Sequence, residues 1–594
     1  MKNTAYYFFM MLSVSGMAQI HVGPDTDVYV GNEVLFVKEQ INLAANSNLY
    51  LRRSAQLVQG TVGLSANTGT GTVSVFQEGT SDNFEYNYWC APIGNPATPT
   101  TGNNPFGVSL LSRPASLTSS VAAILLPTTN YNGTANPLAI STYWIYKLTA
   151  ANNYSQWIQV AGATSLAPGE GFTMKGTSGS DLTDPEANGV ANNPGTGAQR
   201  YDFRGKPNDG NIFVAVGSGN AATLTGNPYP SALDLNAFLL DPVNSACTRI
   251  AYFWEQDRTT NSHYLSDYRG GYGTYSPGTL GSNGIYVAAT FNSYNSDGSL
   301  STTGLSSGSA IVRRYSPVGQ GFLINGNSQG LVTFKNAHRT FYREGGALSQ
   351  FGRSAGSLAS DEADQPDGEI PHFKINTIIN GQFTRQLALA FLPEATDAVD
   401  YGIDAINTNQ DLPADVAFLL DNANYVIQGI QFDVAKRIPL VVRAAAATSL
   451  KFYIPEAIDF SPSQDIFLFD ALDGTYHDIR GGSYEATVAT GTHSNRFEIT
   501  FANAALGTND DVFNSFLIIQ DNKAKILKAF NPDNIIVESF YLYDMQGRAV
   551  LQKHGIGSAD AYTFSTSGFS EGVYIAAFVL PGNRKTTYKV ILTN

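Results

Sequence analysis

The chain has little cysteine, little charge and no long apolar run. Cys90 and Cys247 are the only cysteines in 594 residues, which excludes a disulfide scaffold. The sequence leaves two alternatives open, one bridge in an oxidising compartment or two buried unpaired thiols. Charged residues make up 14% of the chain, against ~25% in ordinary soluble proteins. The sequence has no run of Lys or Arg long enough for a basic patch, so we expect no nucleic-acid partner. No segment approaches ~18 consecutive apolar residues, so we expect no transmembrane helix.

Aromatic residues and glycine are abundant instead. The sequence contains 31 Tyr, 34 Phe and 57 Gly, and its formal net charge is -14. A chain so rich in aromatic and apolar residues can bury a core, which excludes intrinsic disorder. It also lacks the excess of Ala, Glu, Lys and Leu that coiled coils need. At ~150 residues per domain, the length predicts several domains.

The N-terminal residues have the three parts of a secretory signal peptide. Lys2 gives a positive start, residues 5–14 are apolar, and small residues precede a cleavage position between Ala18 and Gln19. An ordinary N-terminal strand is the alternative interpretation. We expect residues 1–18 to be removed and the mature protein to be extracellular, either secreted or attached to the outer cell surface.

Short strands follow one another along almost the whole chain. Alternating and β-branched residues between Asn, Gly and Ser turns predict strands rather than helices. We predict an all-β, multi-domain chain of β-sandwich and short-strand solenoid-like modules that ends in a small immunoglobulin-like sandwich. The predicted domains are a signal peptide (1–18), a solenoid-like or sandwich layer (19–82), two central β modules (83–200 and 201–350), a linker (351–371), a β-sandwich (372–520) and a C-terminal domain (523–594).

The two central modules share three motifs in the same order, which predicts an internal duplication. The motifs are G-N-P at 94–96 and 226–228, an aromatic segment with Trp144 or Trp254, and G-[EQ]-G-F-x-[MI]-x-G at 169–176 and 319–326. G-N-P is turn chemistry, and each Gly-rich motif predicts the entry into a strand. We expect the two Gly-rich segments to occupy equivalent strands, with Phe172 and Phe322 buried.

No catalytic or metal-binding motif stands out. The sequence has no H-E-x-x-H and no C-x-x-C. Ser306 lies in a formal G-x-S-x-G, but a polar loop precedes it and a strand follows, whereas a nucleophile elbow needs a strand before and a helix after. Asp397, Asp400 and Asp404 have the spacing of calcium ligands or of a solvated turn, without the EF-hand pattern. We predict no catalytic site and no cofactor, with Ca²⁺ at these aspartates as the alternative.

The segment 253–275 is rich in aromatic residues around several glycines. Its rings can stack on sugars or anchor a partner, or Trp254 can be a core residue aligned with Trp144. We favour the core position for Trp254. The sequence leaves the positions of four loop tyrosines open: Tyr264, Tyr268, Tyr272 and Tyr275.

Residues 523–594 carry three motifs in a fixed order. They are D-x-x-G-R at Asp544, Gly547 and Arg548, S-x-G-x-Y ending at Gly572 and Tyr574, and a K-V strand beginning at Lys589. Together they resemble the type A C-terminal sorting domain of type IX secretion cargo. Central segments such as YNYWCAPIGNP are similar to large Bacteroidetes surface proteins that carry this domain.

This resemblance implies a route and a set of partners. The signal peptide takes the chain across the inner membrane, and the type IX machinery at the outer membrane exports it by reading residues 523–594. The protein is then released or attached to surface lipopolysaccharide. For the mature body we predict a non-enzymatic adhesive or structural surface protein. The alternative is a protein that binds or hydrolyses extracellular polysaccharide, and a hydrolase would need two carboxylates ~5–9.5 Å apart.

Overall fold

The computed structural model describes residues 19–97, 100–160, 162, 165–295, 300–308, 313–345, 348–351, 368–408, 412–503, 516–581 and 584–593. The predicted signal peptide and residues 352–367 of the predicted linker lie outside them. Within the described ranges, Leu235–Leu239 is the single α-helix and strands dominate, so the all-β prediction is confirmed. No helix in these ranges is long and apolar enough to cross a bilayer.

The described residues form two compact units. The first extends to Glu369 and includes Tyr401–Leu412, and the second contains Ile370–Asp400 and the chain from Pro413 onward. The predicted modules between residues 19 and 350 therefore share one unit. The short segment 401–412 belongs to it because Gly402 makes backbone hydrogen bonds to residues 248 and 278.

Residues 20–78 form a parallel solenoid of short strands. Its three sheets contain Ile20–Val22, Ile41–Leu43 and Thr68–Gly69; Asp27–Gly31, Asn48–Arg52 and Thr72–Glu78; and Val34–Val37 with Gln56–Gln59. Equivalent turns stack 21 residues apart, as where Asn46 Nδ2 donates to Asp25 Oδ1 at 2.9 Å. Both residues have a left-handed backbone (φ 59° and 52°), which Asn and Asp tolerate well. Of the two predicted alternatives, the solenoid-like layer is the one that forms.

An antiparallel layer extends the solenoid. Thr72–Glu78 pairs with Arg200–Pro207, which in turn pairs with Leu111–Pro114 and with Ile93–Gly94. Arg200–Pro207 therefore crosses the predicted boundary at residue 200, because its hydrogen bonds connect it to the preceding strands. The other short strands of this region are Ser120–Ala122, Ile124–Leu126, Gly133–Thr134, Ala139–Ser141, Tyr146–Lys147, Ile158–Gln159 and Thr177–Ser178, with 3-10 turns at Val108–Leu110, Thr142–Trp144 and Tyr154–Gln156.

The two Gly-rich segments form strands with comparable partners. Gly171–Lys175 pairs antiparallel with Tyr86–Cys90, and Gly321–Gly326 pairs antiparallel with Ala222–Gly226. Phe172 and Phe322 are both 0% exposed, as predicted.

The registers of these pairs show where the repeat departs from the motif alignment. Gly171 faces Cys90, whereas Gly321 faces Gly226 itself. The segment 90–92 therefore holds the position that G-N-P holds in the second copy, and 94–96 is displaced along the chain. The sheet of the second copy is also larger, because Gly321–Gly326 pairs on its other side with Cys247–Gln256.

The rest of the first unit packs around a second apolar core that contains Phe238, Phe253, Phe322 and Phe334. Its remaining strands are Ile212–Val216, Ala232–Asp234, Arg269–Ser276, Ile285–Val287, Thr290–Tyr294, Leu300–Ser307, Tyr315–Ser316, Gly330–Phe334, Arg339–Thr340 and Ala405–Ile406, with 3-10 turns at Pro242–Asn244, Leu265–Asp267 and Asn336–His338.

The region predicted as a sandwich over 372–520 is a continuous sheet instead. In spatial order its strands are Thr475–Asp478, Phe467–Asp470, Gly491–Thr500, Arg437–Ala444, Ala414–Leu420, Ala423–Ile430, Phe383–Phe391, His372–Ile379, Thr448–Ile458 and Tyr484–Val488. The rings of His477 and Tyr484, from the first and last strands of this order, stack with centroids 3.6 Å apart. The sheet therefore curls until its two edges meet, because strand twist accumulates over many strands.

The C-terminal residues form a sandwich of two sheets, as predicted. One sheet contains Leu517–Asp521, Ile526–Phe530 and Ala561–Ser565, and the other Ala549–Gly557, Val537–Asp544, Gly572–Leu580 and Arg584–Leu592. Phe540, Phe564 and Phe578 pack between them. Leu517–Asp521 lies before the predicted start at residue 523, yet it belongs to this sandwich because it pairs with Ile526–Phe530.

Candidate binding site

Two paired strands of the first unit present aromatic side chains on one side. In Tyr86–Cys90, strand alternation places Tyr86 and Tyr88 on the same side. In the partner strand Gly171–Lys175, Lys175 lies opposite Tyr86. Trp89, Phe172 and Met174 belong to the apolar core, so each strand has a packing side and this aromatic side.

The amine of Lys175 lies inside an aromatic cage. Its Nζ is 3.9 Å from the centroid of the Trp144 ring, 4.6 Å from that of Tyr268 and 5.0 Å from that of Tyr86. The same Nζ donates a hydrogen bond to the Tyr268 hydroxyl and lies 3.2 Å from His263 Nδ1. Lys175 is only 4% exposed, and burial lowers the pKa of its amine to about 7. The cage therefore holds an amine that is partly uncharged at neutral pH.

Two further titratable side chains border this cage. His263 stacks on Trp144 with ring centroids 5.0 Å apart, and burial together with the charge of Lys175 lowers its pKa to about 4. Glu85 is 3% exposed, and burial raises the pKa of its carboxyl to about 7. Its Oε2 accepts a hydrogen bond from the backbone N–H of Asp82 at 3.0 Å, whereas Oε1 has no partner among the described residues.

Further rings continue from the cage toward solvent. Trp254 stacks on Tyr88 with centroids 6.1 Å apart and planes 11° apart, and Trp157 meets Tyr88 edge-on at 6.0 Å. The hydroxyls of Tyr88 and Tyr272 share a hydrogen bond of 2.8 Å, and burial raises the pKa of Tyr272 to about 12. Both tryptophans are half-buried, and Tyr154 is 51% exposed.

Two more tyrosines complete the surface beside Trp144. The ring of Tyr131, 46% exposed, lies 5.9 Å from Trp144, and Tyr143 lies 4.5 Å from Trp144. We call the whole set the aromatic face, which comprises Tyr86, Tyr88, Tyr131, Tyr143, Trp144, Tyr154, Trp157, Trp254, Tyr268 and Tyr272. Its members come from several separate stretches of the chain, and the cage is its closed end.

The aromatic segment 253–275 supplies only part of this face. Trp254, predicted in the core, is half-buried on the face because its ring lies against Tyr88 and Tyr272 rather than among apolar side chains. The loop tyrosines whose positions the sequence left open differ in their exposure to solvent. Tyr275 is 0% and Tyr268 is 4% exposed, whereas Tyr264 is 76% exposed.

The two cysteines are both free and buried. Cys247 Sγ lies 3.2 Å from the backbone oxygen of Asn244, and burial raises the pKa of both thiols. The second alternative of the sequence analysis, two buried unpaired thiols, is the one observed.

The remaining candidates for chemistry are dispersed. The backbone at Ser306 belongs to the strand Leu300–Ser307, which is not the strand–turn–helix of a nucleophile elbow. Asp397 pairs with Lys436, and Asp400 accepts a hydrogen bond from the backbone of Thr396 at 2.6 Å. Across the described ranges, no three His, Cys, Asp or Glu side chains are grouped as a metal site.

The predicted sorting motif begins with a tight turn. Asp544 Oδ1 accepts hydrogen bonds from the backbone of Gln546 at 2.9 Å and of Arg548 at 3.0 Å. The Arg548 guanidinium returns a 2.8 Å hydrogen bond to Asp544 Oδ2, and these contacts hold the pKa of Asp544 below its usual range. Gly547 has φ +77°, a conformation that other residues adopt only with strain.

The other motif residues lie in the last two strands. Gly572 opens the strand that contains Tyr574, which is 7% exposed and donates from its hydroxyl to the backbone oxygen of Ser570 at 2.9 Å. Lys589 is exposed in Arg584–Leu592, the edge strand of its sheet. At the other end of the chain, Ala18 lies outside the described residues and Gln19 is the first of them.

Several residues of the site carry no recognisable sequence motif, among them Lys175, Glu85 and Trp157. A signal that points toward Trp157 is the lack of charge around it, whereas no such signal marks Lys175 or Glu85. No Asp, Glu, Lys or Arg occurs between Arg113 and Lys147, or between Lys147 and Glu170. A long uncharged stretch that contains tyrosines and tryptophans indicates a surface that is not merely solvated.

Two solved structures show weak similarity to this chain. One is the CupB2 chaperone of Pseudomonas aeruginosa, 9% identical over 38% of this chain and 87% of that one, with a TM-score of 0.11. Another is the extracellular domain of a one-component system from B. thetaiotaomicron, 9% identical over 64% of this chain and 61% of that one, with the same TM-score. Scores this low do not establish a shared fold. No curated protein matches the sequence. Residues 125–501, more than half of the chain, match the model of a domain of unknown function, DUF8693, and the protein belongs to that family.

Proposed function

We propose that the protein is exported by the type IX machinery and acts outside the cell as a non-enzymatic adhesive protein. Its contact surface is the aromatic face. One observation carries the adhesive role: Tyr131, Tyr154, Trp157 and Trp254 are exposed or half-buried, with Tyr131 packed against Trp144 and both tryptophans packed against Tyr88. Tyr and Trp are the residues most enriched at the energetic centres of interfaces, because they bury much area at little cost in side-chain entropy.

Two features of residues 516–593 support the export route. They have a core of their own, built from phenylalanines that contact one another. Their D-x-x-G-R turn and the edge strand with Lys589 are exposed, so a receptor can reach both. A separate domain with an accessible turn and an accessible edge strand suits a sorting signal that the secretion machinery recognises.

Removing the sorting domain tests the route. In a host with the type IX system, a variant that lacks residues 516–594 should remain in the periplasm, and a reporter fused to them should reach the exterior. The variant Lys589→Ala should lower export, while Lys553→Ala, an exposed lysine on the opposite edge strand, should not. Export of the truncated protein at the normal level would refute the route.

Substitutions on the open rings test adhesion. Cells that display Trp157→Ala together with Tyr154→Ala should be retained less on a biofilm-coated surface under flow than cells that display the native protein. Tyr29→Ala is the matched control, because Tyr29 is 48% exposed on the solenoid strand Asp27–Gly31. Equal retention at equal surface amounts of protein would refute adhesion through this face.

Glu85 provides a specific reason to keep a hydrolase as the second candidate. A carboxyl group with a pKa near 7 beside Asp82 has the protonation state of a general acid in glycoside hydrolysis. Against this, Glu85 is only 3% exposed, so a substrate cannot reach it without displacing its neighbours. A hydrolase would release reducing ends from a polysaccharide and lose this activity in Glu85→Gln, whereas an adhesive protein would release none.

A further inference from the structure

Five members of the aromatic face lie in uncharged segments of the chain: Tyr131, Tyr143, Trp144, Tyr154 and Trp157. Residues 114–146 and 148–169 contain no Asp, Glu, Lys or Arg. The charges that flank these segments are neutralised by pairing. Arg113 Nε lies 2.6 Å from Asp181, and Lys147 Nζ lies 2.9 Å from Glu170. A ligand on the turn with Tyr154 and Trp157 therefore meets rings and neutral polar groups from these segments, whereas the segment with Trp254 carries charges of both signs, such as the exposed Arg258 and Asp267.

The polar groups beside the rings are mostly amides. Asn152, Asn153 and Gln159 are exposed next to Tyr154 and Trp157 in the chain. An amide side chain both donates and accepts hydrogen bonds, and a sugar hydroxyl does the same, so the two match without any charge.

The turn that presents these rings is fixed by its own hydrogen bonds. Gln156 Oε1 accepts from the backbone of Asn152 at 2.6 Å and of Asn153 at 3.1 Å. The backbone of Trp157 donates to the oxygen of Tyr154 at 3.3 Å. Rings on a preorganised turn lose little freedom when a ligand binds, which favours affinity for a flat repeating surface.

We propose that the open side of the aromatic face binds an uncharged polysaccharide, with sugar rings stacked on Trp157 and Tyr154 and sugar hydroxyls bonded to the neighbouring amides. This inference rests on the proposed adhesive function and names its ligand class. A polymer fits better than a single sugar, because Tyr131 and Trp254 extend the face beyond the turn. A protein partner is the competing outcome, since Tyr and Trp also serve protein interfaces.

Binding to defined polymers tests the inference. The mature full-length chain, residues 19–594, is mixed with insoluble β-1,4-glucan, α-1,4-glucan, chitin and mannan, and with anionic alginate, and the bound fraction is measured against polymer concentration. We expect binding to at least one neutral polymer and none to alginate. The affinity should change little between low and high NaCl, because uncharged partners are not screened.

Single substitutions locate the binding on the face. Trp157→Ala and Tyr154→Ala should each weaken binding by about tenfold or more, which corresponds to ~1.4 kcal/mol. Tyr29→Ala should leave binding unchanged, and unaltered thermal unfolding of all three variants excludes a folding defect. Trp157→Phe should recover part of the affinity, because an aromatic ring remains.

Three results would overturn the inference. They are binding to no neutral polymer, equal binding by Trp157→Ala and the native chain, and binding to alginate that declines steeply with salt. If the same substitutions nevertheless abolish cell adhesion, the adhesive function stands and its partner is a protein. If they change neither adhesion nor polysaccharide binding, the adhesive function fails as well.

Discussion

The first compact unit buries many arginines, lysines and carboxylates, whereas the C-terminal sandwich buries almost no polar side chain. Among the described residues of the sandwich, only Asn531 and Thr566 are buried polar groups, and none is charged. The buried charged residues of the first unit include Arg52, Glu78, Glu85, Lys175, Asp181, Glu186, Arg200, Asp202, Lys206, Asp209, Arg313, Arg314 and Arg339.

Arg200 shows how the first unit accommodates such charges. Its side chain is 2% exposed, with Nε 2.6 Å from Glu78 and a terminal nitrogen 3.6 Å from Glu186. Taking these ions out of water costs several kcal/mol each, and their mutual attraction offsets that cost only while every partner is present. The sandwich relies instead on apolar area, which tolerates changes of pH and salt. The two regions should therefore respond to different perturbations.

The largest expected effect comes from removing one partner of the buried ion network. Arg200→Met removes the guanidinium beside the buried Glu78 and Glu186, and we expect a loss of ~3–5 kcal/mol in the first unit. Calorimetry of the full chain should show the transition of this unit at lower temperature and that of the sandwich unchanged. Lys38→Met, at an exposed lysine, is the control and should move neither. An unchanged first transition in Arg200→Met would contradict the dependence of the first unit on its buried ion pairs.

A matched pair of phenylalanines separates the two cores. Phe322 in the first unit and Phe578 in the sandwich are both 0% exposed, and truncation of a buried Phe typically costs ~3–5 kcal/mol. Phe322→Ala should lower only the transition of the first unit, and Phe578→Ala only that of the sandwich. A shift of both transitions in either variant would show that the cores are coupled.

Glu85 should make the stability of the first unit depend on pH. Its folded-state pKa is raised from 4.5 to about 7, so the folded state binds the proton more tightly than the unfolded state. This contribution is fully present below pH ~4.5 and is lost as the pH rises through ~7, at up to ~1.4 kcal/mol per pH unit.

The variant Glu85→Gln isolates this contribution. Its first-unit stability relative to the native chain should rise as the pH increases from 4.5 to 7, measured by denaturant unfolding at several pH values. The transition of the sandwich should not differ between the two proteins at any of these pH values. A constant difference across the range would contradict the raised pKa.

The smallest effect concerns the turn of the sorting motif. Gly547→Ala forces a β-carbon into a left-handed backbone and should cost about 1–2 kcal/mol in the sandwich alone. No heavy atom lies within 4 Å of the added carbon, so the cost is conformational rather than steric. Gly547→Asn should recover part of the loss, because Asn tolerates this conformation. Equal stability of the Ala variant and the native chain would contradict a left-handed backbone at residue 547.

Local features of the fold were predictable from the sequence. The matching Gly-rich motifs predicted the burial of Phe172 and Phe322, and both are 0% exposed. This outcome depends on residues that are close together in the sequence. The solenoid was also within reach, because its strands pair with others only one turn away.

The cage and the curled sheet were not predictable, because they depend on residues that lie far apart in the sequence. Lys175 meets its hydrogen-bond partner Tyr268 across 93 residues of sequence, and Arg200 meets Glu78 across 122. No local pattern encodes such pairs. Trp254 was expected in the core because the motif alignment matched it to Trp144, while the structure places its ring against Tyr88 on the aromatic face. The continuous sheet likewise depends on a strand order that alternation does not reveal.

The meeting of the two edges in the curled sheet has a consequence for aggregation. An open edge offers unpaired N–H and C=O groups, which another chain can use as a template for aggregation. Here His477 of the first strand stacks on Tyr484 of the last strand. Both rings are half-buried, so each covers part of the edge of the other strand and limits edge-to-edge pairing with a neighbouring molecule.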